Sequence, residues 1–187
     1  MTLKPLILAS TLLLGQHAAG DQLTAIPDAY LEAAATKNIP PVLLYAIAEQ
    51  ESVGKLNIGF YPWPWTLNVA GQGMRFATRQ EACSAALNAI QKHGGTSVDI
   101  GIAQQNWGWT GKRHYSHPCD ALNPYENLRV AAVELRKCFD ARGDWLEAAG
   151  CYHRPAGGEP ARRYKELIAK RLQRLKFLGA NGIVSVQ

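Results

Sequence analysis

Two consecutive prolines, in the run "KNIPPVLLYAIAEQESVG", constrain this chain more than any other feature. Neither Pro40 nor Pro41 can continue a helix, and the residue before the first is pushed to extended geometry. A helix predicted over residues 27–38 must therefore stop before them. The prolines then open a second helix, residues 41 to about 53, with Gly54 suited to its C-terminal cap. That helix is apolar until its end, where Glu49 and Glu51 stand two residues apart.

At 100° per residue, Leu44, Ile47, Ala48 and Glu51 fall on one narrow stripe and Glu49 on the opposite side. Glu51 thus points where the apolar residues point, and Glu49 reads as solvated surface. A carboxylate among apolar neighbours is costly when ionised, and the negative end of the helix dipole acts in the same direction. Glu51 is therefore expected to hold a proton near neutral pH.

Residues 57–73, "NIGFYPWPWTLNVAGQG", are aromatic, β-prone and studded with Pro and Gly, which predicts a small hairpin lobe. Helical pattern resumes at Thr78, followed three positions later by Glu81 in capping-box spacing. "SVDIGIAQQNWGW" is a short apolar stretch between glycines, in which Asp99 reads as a turn or cap residue. Asn123 caps and Pro124 opens a helix with Leu128, Ala131, Ala132, Leu135 and Phe139 at helical spacing. Asp144 with Glu147 repeats the capping pattern, and a basic amphipathic helix over residues 159–178 closes the chain with a solvated face. The fold class is α+β, predominantly α-helical, with one small β excursion.

With 187 residues, the chain suits one domain, expected over residues 21–180, with a frayed tail at 181–187. Residues 1–20 carry Lys4, an apolar run and small residues ahead of Asp21, the pattern of a cleaved signal peptide. Export to the periplasm follows as the expectation. All four cysteines, Cys83, Cys119, Cys138 and Cys151, lie in the exported part, so disulfides are expected. Three pairings are possible; Cys138 and Cys151 flank a short helix-to-helix turn and could close it. A net charge of +5 suits an anionic partner, yet no nucleic-acid reading element accompanies it. His114, His117 and Cys119 lack a fourth ligand, so no metal and no cofactor are expected.

At "AEQES" the sequence resembles the Glu-Ser motif of the lysozyme-like lytic transglycosylases, the soluble lytic transglycosylase family, and especially its members that accompany conjugation and type IV secretion machinery. "DIGIAQQNW" is similar to the family's Gly-Leu-Met-Gln-Ile/Val-Asn segment, at Gly101, Gln104 and Asn106. "NPYENLRVAAVEL" matches its Asn-bearing helix at Asn127, and "AAGCYHRPAGG" resembles its Ala-x-x-Tyr-Asn-x-Gly segment, at Tyr152. The four segments occur in the family's order across residues 46–158. Ile102, Ala103, Gln105 and His153 depart from the usual residues.

The resemblance implies a lysozyme-like fold of the goose-type kind, a peptidoglycan substrate, a monomer, and secretion or conjugation components as partners. It makes Glu51 the catalytic acid. Only one carboxylate is well placed, which suits a lytic transglycosylase: the muramic acid's own C6 hydroxyl attacks, leaving a 1,6-anhydro end. Ser52, Gln104, Asn106, Tyr152, Asn68 and Trp65 are the candidate substrate-binding residues. Bland roles compete for each: a polar last-turn residue for Ser52, a backbone partner for Gln104, core packing for Tyr152 and Trp65, turns or caps for Asn68 and Asn106. Two other functions stay open, a water-using muramidase with Asp99 as second carboxylate, and a non-catalytic glycan-binding assembly factor.

Overall fold

The computed structural model describes residues 26–56 and 59–179. The expected signal peptide and C-terminal tail lie outside them. Among the described residues no helix is long and apolar enough to cross a membrane.

Helix α1 (Asp28–Ala35) is followed by α2 (Pro41–Ser52), with Pro40 at the N-cap position in extended geometry. α2 is buried on every side: Val42 through Glu49 are all buried, as is Ser52. It shares a helical core with α1, α5 (Pro124–Arg142), α6 (Trp145–His153) and α7 (Glu159–Gly179). The stripe of the helical wheel therefore does not divide core from solvent. Glu49, expected on the surface, is 3% exposed. Its burial is offset by two guanidiniums from α7, Arg174 at 2.5 Å and Arg171 at 3.5 Å. Part of the basic face of α7 thus serves an internal ion pair.

α2 stops at Ser52, one residue short of the expected end. Gly54 does not cap it, because the chain passes straight into strand β1 (Val53–Leu56), which pairs with β2 (Gly59–Pro62). A second hairpin follows, β3 (Thr66–Val69) with β4 (Gln72–Arg75), turning through Ala70 and Gly71 at positive φ. β5 (Val98–Ile100) and β6 (Gln105–Asn106) extend it to an antiparallel sheet in the order β4-β3-β5-β6. The β content thus exceeds the predicted lobe, and Asp99 lies mid-strand, paired with Asn68 on one side and Asn106 on the other, rather than in a turn or cap. Leu67, Val98 and Ile100 face a second core shared with Ala82, Ala86 and Ala89 of α3 (Arg79–His93).

The caps form as the spacing predicts. Thr78 and Glu81 exchange reciprocal bonds, Asn123 accepts from Tyr125 and Glu126, and Asp144 accepts from Leu146 and Glu147. Glu147 itself turns away to Lys165. Cys138 pairs with Cys151, tying α5 to α6, and Cys83 pairs with Cys119.

Candidate active site

A cleft of about 780 Å³ runs between the helical core and the sheet. Its walls include the end of α2 at Glu51, the sheet residues Asn68, Asp99 and Asn106, the loop residues Gln104 and Gln105, and Tyr152 with the Cys138–Cys151 bridge. That volume and mixed lining suit a polar ligand of more than one ring.

Glu51 is pushed up to about 7, chiefly by burial, and further by the charge of Asp99. The Tyr164 hydroxyl and the charge of Arg171 offset part of that rise. Tyr164 is 4% exposed and its hydroxyl finds no aligned partner among the described residues. Burial and the adjacent carboxylate hold that phenol protonated far above neutrality, so it faces Glu51 as a neutral hydroxyl. Nothing in the chain sequence marks Tyr164 as functional; it lies 113 positions from Glu51, inside a basic helix.

Asn127 ties down the loop between β5 and β6 with three hydrogen bonds. Asn127 accepts from Ala103 N at 2.8 Å and donates to Ile100 O at 3.0 Å and Ala121 O at 2.8 Å. Gly101 turns here at φ +89, where a Cβ would stand 2.4 Å from both Ala121 O and Asn127 Nδ2, so only glycine fits. Gln104 follows at φ 47, and its Nε2 donates to Gly101 O at 2.7 Å and Thr66 O at 3.1 Å. Two carbonyls occupy both amide protons, leaving Oε1 as the acceptor Gln104 can offer the cleft. Gln105, 3% exposed, donates to Tyr152 Oη at 2.7 Å, and that hydroxyl donates to Ala103 O at 2.7 Å. Tyr152 is thereby a positioned cleft wall rather than free packing.

Asn68, Asp99 and Asn106 stand in register across three neighbouring strands. Asn68 Nδ2 donates to Asp99 Oδ2 at 3.0 Å, and Asn106 Nδ2 to Asp99 Oδ1 at 2.7 Å. Burial raises the Asp99 pKa, against these two bonds and the nearby His153. His153 lines the cleft and stacks on Tyr164 with ring centroids 4.4 Å apart.

Two predicted contacts are corrected. Ser52 is fully buried, its hydroxyl donating to Ile102 O at 2.7 Å and within reach of Ala48 O at 3.0 Å, so it anchors the loop behind the acid rather than touching substrate. Trp65 packs against the second core edge-on to Trp63, 5.4 Å between centroids, and does not line the cleft. Trp107 is core as well, and Trp109, 69% exposed, is the tryptophan that faces the cleft. Arg75 and Arg113, which the sequence reading passed over, add positive charge to the cleft walls.

Compared with protein-family models, curated proteins and solved structures, the chain matches none of them.

Proposed function

We propose that the protein is a peptidoglycan lytic transglycosylase of lysozyme-like fold, with Glu51 as its acid and base. One observation carries the reading: a single carboxyl whose pKa sits near 7 at the wall of an open, amide-lined cleft. Cleavage of a glycosidic bond needs a proton on the leaving oxygen, and a carboxyl poised near the working pH gives it most effectively. In this reading Glu51 protonates the oxygen between N-acetylmuramic acid and N-acetylglucosamine. As the carboxylate it then takes the proton of the C6 hydroxyl while that oxygen attacks C1, closing the 1,6-anhydro ring.

General acid–base catalysis of this kind supplies about 10²–10⁴-fold, the remainder coming from orientation of the sugars. Gln104 Oε1 and the exposed face of Trp109 are suited to that orienting work, one by hydrogen bonding and the other by stacking. Two disulfides suit an oxidising compartment such as the periplasm. There the enzyme would open the wall locally for a secretion or conjugation apparatus.

A water-using muramidase is the second reading, favoured by the presence of Asp99 in the same cleft. Digestion of purified sacculi by wild type and Glu51→Gln, with mass spectrometry of the fragments, tests both. Anhydro-muramic ends from wild type and none from the variant support the proposal. Reducing ends support the muramidase, and equal behaviour of the two proteins rules out either enzyme.

A further inference from the structure

The outer strand of the sheet brings a cation to the cleft that the carboxylates around it leave alone. In β4, Met74 packs against the second core, so its neighbours Gly73 and Arg75 face the other way, toward the cleft that both line. Arg113, also on the cleft wall, reaches Glu134 at 3.6 Å. Arg75 forms no ion pair among the described residues, although Glu51, Asp99 and Glu134 line the same cleft.

Gly54 and Gly73 keep that guanidinium seated and open to approach. A Cβ on Gly54 would stand 3.3 Å from Trp63 Cβ and 3.5 Å from Arg75 Cδ, so glycine in β1 leaves room for the arginine shaft. A Cβ on Gly73 would meet nothing within 4 Å, and no positive φ requires glycine there. A bare strand position on a cleft wall lets a ligand come close. Arg75 also pairs across the sheet with Thr66, whose carbonyl accepts from Gln104 Nε2 at 3.1 Å. The acceptor Oε1 of Gln104 and the cation of Arg75 are thus both anchored at Thr66.

We propose that Arg75 is a specificity residue that binds a carboxylate on the substituent carried by the muramic acid, so that the cleft selects glycan bearing an anionic side group over neutral glycan. This rests on the reading of the cleft as a peptidoglycan site. The sugar rings themselves carry no charge to match a guanidinium, whose planar fork of donors suits a carboxylate. A stem peptide offers carboxylates to Arg75 and amide N–H groups to Gln104 Oε1. A muramic acid stripped of its peptide keeps a shorter acid, the lactyl carboxylate, which offers Arg75 the same chemistry.

Calorimetric titration tests this in a Glu51→Gln host, where binding is read without cleavage. Soluble glycan chains are offered with their stem peptides intact or removed by an amidase. Adding Arg75→Gln to the host should weaken binding about tenfold, and Arg75→Lys, which keeps the charge, should restore most of it. The host's loss of affinity between about 50 and 300 mM salt should shrink in Arg75→Gln. A merely structural role would move neither the salt dependence nor the rescue, and Arg75 is exposed, so melting temperatures should match. A loss seen with peptide-bearing chains assigns the contact to the stem, and a loss confined to stripped chains assigns it to the lactyl carboxylate; either supports the proposal. Equal affinity of host and Arg75→Gln for both chains overturns it, as does a host that binds neither. Sacculus digestion by wild type decides the function separately.

Discussion

Arg174 Nη2 lies 2.5 Å from Glu49 Oε2, and this contact gives the two glutamates of one helical turn opposite fates. Glu49 is neutralised from α7 on the closed side of α2, whereas Glu51 is left to the cleft.

Removing the first charge should therefore harm stability before chemistry. Glu49→Gln leaves Arg174 and Arg171 short of their anion, although both guanidiniums keep some access to water, 52% and 24% exposed. A loss of about 1–3 kcal/mol in urea unfolding is expected, with kcat of the folded fraction close to wild type. A large loss of kcat at unchanged stability would reverse the roles given to the two residues.

Activity should fall as pH rises through about 7, where Glu51 loses its proton. Stability carries the same signature. Unfolded, Glu51 titrates at its ordinary 4.5, and folded at about 7, so the native state binds the extra proton between those values. The contribution is full below pH 4.5 and is lost as pH rises through 7. Glu51→Gln should flatten that slope and gain up to roughly 3 kcal/mol at pH 8 over wild type, seen in parallel urea titrations.

The two disulfides should separate on reduction. By loop closure, Cys138–Cys151, 13 residues apart, contributes about 3 kcal/mol, and Cys83–Cys119, 36 apart, about 4 kcal/mol. The smaller one borders the cleft and adjoins Tyr152. Cys138→Ser with Cys151→Ser should thus cut activity per folded molecule, whereas Cys83→Ser with Cys119→Ser should lower the melting temperature alone. Calorimetry and sacculus digestion on the same samples check both.

Among the tryptophans, Trp109→Ala should raise KM severalfold while moving stability by about 0.5 kcal/mol or less, because its ring is 69% exposed. Trp107→Ala should unfold or cost about 3–5 kcal/mol, as its ring packs under Gly95 and Gly111. Paired melting curves and kinetics separate the two roles.

Much of this layout was legible in the chain: the proline break, the three caps, the helical spacing of Leu128 to Leu135, and the placing of Glu51 beside apolar residues. Local rules decide those features, and each reads within a few residues. Glu49 was misread because a helical wheel separates two faces, whereas α2 is enclosed on all of them by neighbours that sequence periodicity does not reveal. Ser52 and Trp65 were misplaced for a related reason, since a hydroxyl or an indole shows its type in sequence and its exposure only in the fold. The row of Asn68, Asp99 and Asn106 needed strand register, set by pairing between β3, β5 and β6. Its trace in the sequence is slight: one polar residue flanked by apolar ones in "LNV" and again in "VDI". Tyr164 left no trace, because it reaches Glu51 through the packing of α7.

The most direct measurement is a titration of the Glu51 carboxyl itself. With glutamate labelled at the side-chain carboxyl carbon, the resonance absent from Glu51→Gln is followed from pH 3 to 9 by NMR. A midpoint near 7, shifted to lower pH in Asp99→Asn, is the predicted result. A midpoint near 4.5 that ignores Asp99 would contradict the account, because no proton would then be available at neutral pH for the leaving oxygen.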